Sequence, residues 1–357
     1  MNGDHYGRPP VRVALMGLGR AMFDDHISFY RDNPAMFKVV AACDLVKERR
    51  DLVEKDFPHC KMFRRFSDML DESDIDLVDI ATCTADHVKH GLMSLKKGLW
   101  TLLETPMALT FADAQLLRGQ DMKSRNRLIV FQRGMFAPDF MLAKQALEDQ
   151  RLGPTYEIRI RREDFVRRDD WQCIKRLGGG AAYYVMPELL LQAVKLLPAP
   201  PVQMWSELKR VASLGDAEDF AQVMFKTRGP VTADVEFNGG CLPGLRSPSF
   251  EIRGERGTFR VEHGASEGAL TVIDPEFSFP RRRSSVRTPP MTDLHEDFPV
   301  VTIPVSLPDG VEHGQAVFWK RLYETVRTAA PFPLPLEDSM EAVKFAQLMK
   351  KTSPFGK

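Results

Sequence analysis

Short apolar runs alternate with amphipathic segments through the first 136 residues of the chain. The runs occupy residues 11–16, 38–43, 77–82, 100–103 and 127–131. Between them, residues 87–97 have helical spacing, with Val88, Leu92 and Leu95 on one face and Gly98 at the expected C-terminal end. Near-continuous apolar strands separated by helices are typical of a parallel sheet covered on both faces. The pattern therefore predicts a doubly wound α/β domain over residues 1–136.

Beyond residue 136 the pattern changes to a helical segment followed by grouped strands. Residues 139–152 have helical spacing and end at Gly153. Alternating apolar and polar positions then predict strands at residues 156–161, 203–210, 221–225, 232–237 and 249–252, and a last helix covers residues 339–350. Grouped strands of this type favour an open, mostly antiparallel sheet. The pattern therefore predicts a second α/β domain over residues 137–357.

Composition and charge narrow the class of protein. The 357 residues include 49 basic and 49 acidic side chains, so the formal net charge is zero. This balance excludes a globally basic nucleic-acid binder and a protein held to a membrane by charge alone. No apolar run reaches the roughly 18 residues of a membrane-spanning helix, and residues 1–6 lack the hydrophobic stretch of a signal peptide. The five cysteines have no C-x-x-C spacing, so we expect a cytoplasmic protein with reduced thiols and no metal site.

A glycine-rich turn follows the first predicted strand. Gly17 permits a tight turn, and Gly19 lets the backbone approach a pyrophosphate at the N-terminus of the next helix. Met22 stands where the usual third glycine would be. Asp44 follows the second strand, where a carboxylate accepts hydrogen bonds from a ribose and repels a 2′-phosphate. The pattern predicts a site for NAD, although the basic residues of segment 47–50 leave NADP open.

Motifs along nearly the whole chain resemble those of one family. They comprise residues 17–20, 81–87, 104–106, 170–172, 178–180, 215–219 and 252–258. Taken in this order, they are similar to the Gfo/Idh/MocA oxidoreductases. The resemblance implies an N-terminal Rossmann domain and a C-terminal α/β domain whose open sheet often mediates oligomers, so we expect a homo-oligomer. It also implies an enzyme that uses NAD(P) to oxidise or reduce a carbinol on a sugar-like or cyclitol-like small molecule.

The resemblance further implies which residues hold the cofactor. They belong to the glycine turn and to segments that follow later strands, namely Gly17, Leu18, Gly19, Arg20, Asp44, Thr82, His87 and Glu104. For His87, a place beside the cofactor and a place in the packed core are equal alternatives. His90 lies three residues further on, but no third ligand at suitable spacing supports a metal site.

The family's catalytic positions are changed in this chain. The usual lysine of Glu-Lys-Pro is Thr105 here, and a threonine cannot supply the charge that lowers a neighbouring pKa. The usual aspartate, histidine and second aspartate after the triple glycine correspond to Tyr184, Glu188 and Leu191. Thr105, Tyr184 and Glu188 are therefore the candidate catalytic residues, and Lys175 and Arg176 are candidates for the missing charge.

Tyr184 and Glu188 are open to two interpretations. Since they are four residues apart, they would face the same side of a helix, which Pro187 is expected to kink. A phenol can donate a proton to a carbonyl if a cation lowers its pKa, and a buried glutamate can act as a base because burial raises its pKa. Alternatively, both side chains fill a pocket that no longer supports catalysis.

The sequence leaves three functions open. The first is an NAD-dependent oxidoreductase that acts on a sugar-like or cyclitol-like alcohol or ketone with altered acid–base residues. The second is a non-catalytic member, either a cofactor-sensing regulator or a pseudoenzyme partner. The third is a lyase, isomerase or hydrolase that keeps NAD tightly bound. This last function needs an acid–base pair, so the lost lysine disfavours it.

Overall fold

The first half of the chain folds around a six-stranded parallel sheet. The computed structural model describes residues 8–72, 74–279 and 297–356. The strands of the first sheet are β1 (Val11–Met16), β2 (Phe37–Cys43), β3 (Lys61–Phe63), β4 (Leu77–Ile80), β5 (Trp100–Glu104) and β6 (Leu128–Phe131). They lie in the order β3-β2-β1-β4-β5-β6, with parallel neighbours throughout. The order reverses between β1 and β4, and ligands of such sheets bind beyond the carboxyl strand ends at that point.

Helices cover both faces of this first sheet. They are α1 (Ser28–Asp32), α2 (Lys47–Asp56), α3 (Phe66–Glu72), α4 (Thr84–Lys96) and α5 (Phe111–Lys123). The neighbouring β1 residues Val13 and Ala14 are both fully buried, in hydrophobic clusters on opposite faces of the sheet. Thr110 caps α5 by accepting a hydrogen bond from the backbone N–H of Asp113 at 3.1 Å. Burial on both faces explains why the strands are near-continuous apolar runs.

A π-helical stretch opens the helix that follows β1. It covers Met22–Ile27 and continues directly into α1. A π-helical turn holds an extra residue compared with an α-helical one, and such turns occur frequently at functional sites. His26 and Ile27 are buried in this stretch. The wider turn therefore places a polar ring inside the core.

The second half folds around an eight-stranded open sheet. Its strands are β7 (Thr155–Glu163), β8 (Gln203–Lys209), β9 (Phe220–Lys226), β10 (Thr232–Asn238), β11 (Phe250–Gly254), β12 (Gly257–Val261), β13 (Glu267–Ile273) and β14 (Val300–Ser306). They lie in the order β14-β13-β12-β11-β7-β10-β9-β8, and β7 and β10 are the parallel pair. Helices pack on one face, namely α6 (Pro138–Leu147), α8 (Met186–Leu196) and α10 (Leu336–Thr352). A short helix, α7 (Ala181–Tyr184), precedes α8.

A late helix returns to the first sheet. This helix, α9 (Gln315–Thr328), buries Phe318 and Trp319 in the cluster that also holds Leu15 of β1. The Trp319 ring stacks on Phe29, with ring centroids 5.2 Å apart. The domain boundary between residues 136 and 137 stays a prediction, and the chain beyond it contributes to the cores of both sheets.

The predicted fold class is confirmed. The structure has a parallel Rossmann sheet followed by a mixed, mostly antiparallel sheet. The predicted strands in both halves are present, whereas β3, β12, β13, β14 and α9 were not predicted. In the described parts of the chain, no helix is long and apolar enough to cross a membrane.

The face of the second sheet away from the helices combines apolar and charged side chains. Trp205 of β8 lies opposite Met224 of β9, and both side chains are about half exposed. Further across the sheet, Arg161 pairs with Asp234. A sheet face that exposes apolar side chains to solvent, among paired charges, is typical of a surface that binds another chain.

We predict that this face joins two copies of the protein. Trp205→Glu places a charge within the joined surface, so it should shift the molar mass from dimer to monomer at micromolar concentration. Size-exclusion chromatography with light scattering measures the change. Leu116→Glu is the matched control, because Leu116 is an exposed leucine on α5 of the first half. A monodisperse wild-type monomer would contradict the prediction.

Candidate functional site

A cavity of about 410 Å³ lies where the carboxyl ends of the first sheet face the second half of the chain. Eight of the sequence-predicted residues line it: Gly19, Arg20, Thr82, His87, Glu104, Thr105, Tyr184 and Glu188. The other three, Gly17, Leu18 and Asp44, belong to the adjoining turn and strand end. The fold therefore brings the predicted cofactor residues and the predicted catalytic residues to one place.

The glycine turn has the shape that a nucleotide requires. Gly17 has a φ of +85°, and a Cβ there would lie 2.7 Å from Cγ2 of Thr82 and 2.9 Å from the backbone of Ala81. Gly17 is therefore needed for the close approach of β1 to the segment after β4. A Cβ on Gly19 would meet no atom within 4 Å. The backbone of Gly19 thus faces open space at the helix N-terminus, where a pyrophosphate would fit.

Asp44 anchors the glycine turn. Its Oδ2 accepts a hydrogen bond from the backbone N–H of Leu18 at 2.8 Å, and its Oδ1 accepts one from Val46 at 2.8 Å. Arg49 lies nearby, with Nη1 3.5 Å from Oδ2 of Asp44. A carboxylate has about four acceptor positions, so Asp44 can also receive a ribose hydroxyl. Its predicted role at the ribose stays a prediction.

His87 connects the segments that follow β4 and β5. Its Nδ1 lies 2.9 Å from the carbonyl oxygen of Pro106, and its Nε2 lies 3.0 Å from that of Thr82. Burial lowers the pKa of His87, against the effect of these two backbone contacts. Each ring nitrogen faces a backbone carbonyl oxygen, and a neutral imidazole donates to one of the two, so these contacts support a scaffolding role although the ring borders the cavity. Its predicted role at the cofactor stays a prediction.

Glu104 and Thr105 end β5 at the cavity wall. Oε2 of Glu104 accepts a hydrogen bond from the backbone N–H of Thr105 at 2.7 Å. Oε1 of Glu104 lies 3.2 Å from Nε2 of His26. The Thr105 hydroxyl is buried and has no hydrogen-bond partner in the described structure. A threonine at this position therefore leaves one donor free for a bound ligand.

The helix that carries Tyr184 and Glu188 is interrupted between them. Helix α7 ends at Tyr184, Val185 leaves helical geometry with φ of −128°, and Pro187 lies in the first turn of α8. The predicted break at Pro187 is present. The two side chains do not share one continuous helical face, yet both line the cavity.

Burial is the largest influence on the pKa values of Tyr184 and Glu188. It raises the pKa of Tyr184 to about 12, and the guanidinium of Arg168, 4.7 Å from the ring centroid, offsets only part of that effect. Burial also raises the pKa of Glu188, against the charges of Arg162 and Arg133. Tyr184 therefore stays protonated over the ordinary pH range but is a weaker acid than an exposed tyrosine, so the expected lowering of its pKa by a cation is not found. Glu188 is likewise a weaker acid than an exposed glutamate.

Several residues at the cavity were not singled out from the sequence. They are Asp24, Asp25, Arg133 and Arg168. Arg133 lies two residues after β6. Residues just after a parallel strand are expected at the ligand site, so this position could have been predicted from the sequence. Arg168 lies in a loop without regular structure, where spacing gives no signal. Lys175, one of the two predicted sources of charge, is instead bonded to the carbonyl of Phe355 at 3.0 Å and does not line the cavity.

Arg20 connects the two walls of the cavity. Its Nη2 donates to Oε1 of Gln172 at 2.9 Å and lies 3.8 Å from Oδ2 of Asp170. Trp171, between these two partners, also lines the cavity. A side chain from the glycine turn thus reaches the loop of the second half that faces it.

The sheet and the glycine turn together define a two-domain protein whose first domain has the Rossmann fold of dinucleotide-binding proteins. The chain belongs to the Gfo/Idh/MocA oxidoreductase family. The family description for an oxidoreductase with an NAD-binding Rossmann fold matches residues 11–131, and that for the GFO/IDH/MocA C-terminal domain matches residues 140–260.

Relatives and solved structures agree with this assignment. An uncharacterised oxidoreductase of Schizosaccharomyces pombe is 26% identical over 257 residues, with 70% of each chain covered. The scyllo-inositol 2-dehydrogenase (NADP(+)) of Bacillus subtilis is 19% identical, covering 96% of this chain and 94% of the relative. The WlbA dehydrogenase of Bordetella pertussis, solved in complex with NADH and UDP-GlcNAcA, has a TM-score of 0.74 at 17% identity, with 96% of each chain covered.

We predict that Gly19→Val abolishes cofactor binding without disturbing the fold. The new side chain enters space that is empty of protein atoms, so the free protein should keep its stability while the pyrophosphate is excluded. In a thermal-shift titration, NADH should raise the Tm of the wild type, more strongly than NADPH, and should leave that of Gly19→Val unchanged. Gly119→Val in α5 is the matched control, since a Cβ there also meets nothing within 4 Å. Equal NADH shifts in both variants would refute this placement of the pyrophosphate.

Proposed function

We propose that the protein interconverts an alcohol and a ketone or aldehyde on a sugar-like or cyclitol-like substrate, with NAD(P) as the hydride carrier. One observation carries the proposal. Tyr184 and Glu188 from the second half of the chain line the same cavity as Glu104 and Thr105, beside the glycine turn. Proton-transfer groups and a nucleotide site in one cavity are what this reaction requires. Two similar proteins support the substrate class: one is a scyllo-inositol dehydrogenase, and the other was solved with a bound nucleotide sugar.

The fit of the nucleotide rests on the open space at Gly19 and on the acceptor atoms of Asp44 and Glu104. When bound, the nicotinamide nucleotide supplies the hydride to the carbonyl carbon or removes it from the carbinol carbon. Asp44 would receive the ribose hydroxyls, and the turn at Gly17 would hold the backbone close to the pyrophosphate. Glu104, at the end of β5, offers acceptor atoms at the cavity wall.

Proton transfer is carried out by Tyr184 and Glu188. In the reducing direction the developing alkoxide takes the phenolic proton, and a phenol whose pKa is about 12 is protonated at every pH where the protein operates. Arg168 over the ring stabilises the phenolate that remains. In the oxidising direction Glu188, which lines the same cavity, accepts the hydroxyl proton as the general base. The positive charge that the family's lysine would supply thus comes from Arg168, which lies on another segment.

We predict that Tyr184→Phe lowers kcat for carbonyl reduction by at least tenfold, or about 1.4 kcal/mol, because the proton donor is lost. The Kd for NADH should stay unchanged. A panel of keto-sugars and keto-cyclitols, followed by NADH absorbance, provides the rates. Tyr183→Phe is the matched control, since the Tyr183 hydroxyl contacts the carbonyl of Leu109 at 3.4 Å and the residue does not line the cavity. A fully active Tyr184→Phe variant would remove the tyrosine from the mechanism. NADH binding without turnover of any substrate would favour a cofactor-sensing regulator.

We further predict how the oxidation rate depends on pH. A general base must be unprotonated, so the wild-type rate should fall as pH decreases through the pKa of Glu188, which burial raises above 4.5. Glu188→Gln should lose this acidic limb and retain a lower rate without it. The measurement is kcat against pH from 4.5 to 9 with saturating NAD. An unchanged acidic limb in Glu188→Gln would show that another group is the base.

A further inference from the structure

Four side chains form a buried hydrogen-bonded chain that ends at the cavity wall. We name it the His26 cluster, and its members are Tyr30, Asp79, His26 and Glu104. Oδ2 of Asp79 accepts a hydrogen bond from the Tyr30 hydroxyl at 2.7 Å and lies 2.8 Å from Nδ1 of His26. Nε2 of His26 lies 3.2 Å from Oε1 of Glu104. Of these four residues, Glu104 is the one that lines the cavity.

The geometry requires a ring that donates from both nitrogens. A neutral imidazole has one N–H, so it cannot donate to two carboxylates at once, whereas an imidazolium can. His26 and Asp79 are fully buried, and a buried carboxylate of this kind needs a paired charge. Burial alone would lower the pKa of His26, but the charge of Asp79 and the hydrogen bonds to Asp79 and Glu104 outweigh burial and raise it to about 10.

The surroundings hold the ring in one orientation. It lies in the π-helical stretch, with Phe131 of β6 at 4.4 Å and Trp319 of α9 at 5.2 Å between ring centroids. The charged and titratable groups that face it come from each neighbouring element: Asp79 of β4, Glu104 of β5, Tyr30 of α1, Asp25 of its own helix, and Arg133 after β6, which pairs with Asp25. The ring therefore joins a core carboxylate to a cavity carboxylate.

We propose that His26 is a positioning residue for this site, and that its ring fixes the Glu104 carboxylate as an oriented hydrogen-bond acceptor for the ligand at the end of β5. Its two anchors are the His26 ring at Oε1 and the Thr105 backbone N–H at Oε2. The remaining acceptor positions of the carboxylate are then held in a single orientation toward the cavity. This role rests on the proposed function for its consequence in catalysis, but the contacts that produce it are independent of turnover.

The first test is the titration of His26 itself, observed by NMR of the imidazole groups in the unliganded protein. The signal absent from His26→Gln identifies the residue among the eight histidines. We expect it to stay protonated through pH 8 in the wild type. In Glu104→Gln its pKa should fall toward the ordinary value of 6.5, because one of its two carboxylates is gone. A wild-type pKa near 6.5, or one that does not respond to Glu104→Gln, would overturn the proposal.

The second test is a double-mutant cycle of His26→Gln and Glu104→Gln, read by the Kd for NADH. If His26 acts through Glu104, each single variant should weaken binding at least threefold and the double variant should be no weaker than Glu104→Gln alone. Additive losses would show that His26 contributes only through general stability. Neither test needs a substrate, so they can succeed even when no turnover is found and the proposed function fails.

A third measurement distinguishes a charged His26 that contacts two carboxylates from a histidine that is only buried. A histidine whose pKa is raised on folding adds stability below pH 6.5 that is lost as pH rises toward 10. The Tm deficit of His26→Gln should therefore be largest at low pH and should shrink as pH increases. His90→Gln is the matched control, because burial lowers the pKa of His90 to about 4 and the pH dependence of its Tm difference should have the opposite sign. The same sign in both variants would overturn the proposal.

Discussion

The contacts of the His26 ring with the carboxylates of Asp79 and Glu104 are the interactions on which the geometry of the site depends. Asp79 lies within β4, Glu104 ends β5, and His26 belongs to the helix that follows β1. These contacts therefore connect three elements that meet where the strand order of the first sheet reverses. Burying a charge of either sign without the other would be costly, so each member requires the rest.

The positive charge at the cavity comes from arginines, while the position where the family resemblance implies a lysine holds Thr105. No lysine is present among the described residues that line the cavity, and Thr105 at that position contributes an unpaired hydroxyl. Positive charge is instead supplied by Arg20, Arg133 and Arg168, which lie on three different segments. An arginine cannot act as a base at ordinary pH, so it can stabilise an anion but cannot shuttle a proton. In the proposed mechanism, proton transfer is therefore left to Tyr184 and Glu188.

The sequence predicted those features that depend on local pattern. Apolar runs identified the central strands, the glycine spacing identified the turn at Gly17, and Pro187 identified the helix break. Strands β13 and β14 were missed because they lie at one edge of the second sheet, where partial exposure weakens the alternation of apolar and polar residues. The placement of His26 was missed for a different reason. Regular helical spacing does not reveal a π-helical turn, and this turn decides which way the ring points.

A single contact shows how Glu188 is fitted against the backbone at the cavity. A Cβ on Gly134 would lie 1.4 Å from Oε1 of Glu188, so the carboxylate occupies the space that a side chain at residue 134 would need. Gln192, one turn after Glu188, donates to the carbonyl oxygen of Gly134 at 2.9 Å and holds the same segment. Glu188 in this orientation therefore requires glycine at residue 134. The position of Glu188 is thus coupled to the segment after β6, which places Arg133 at the cavity.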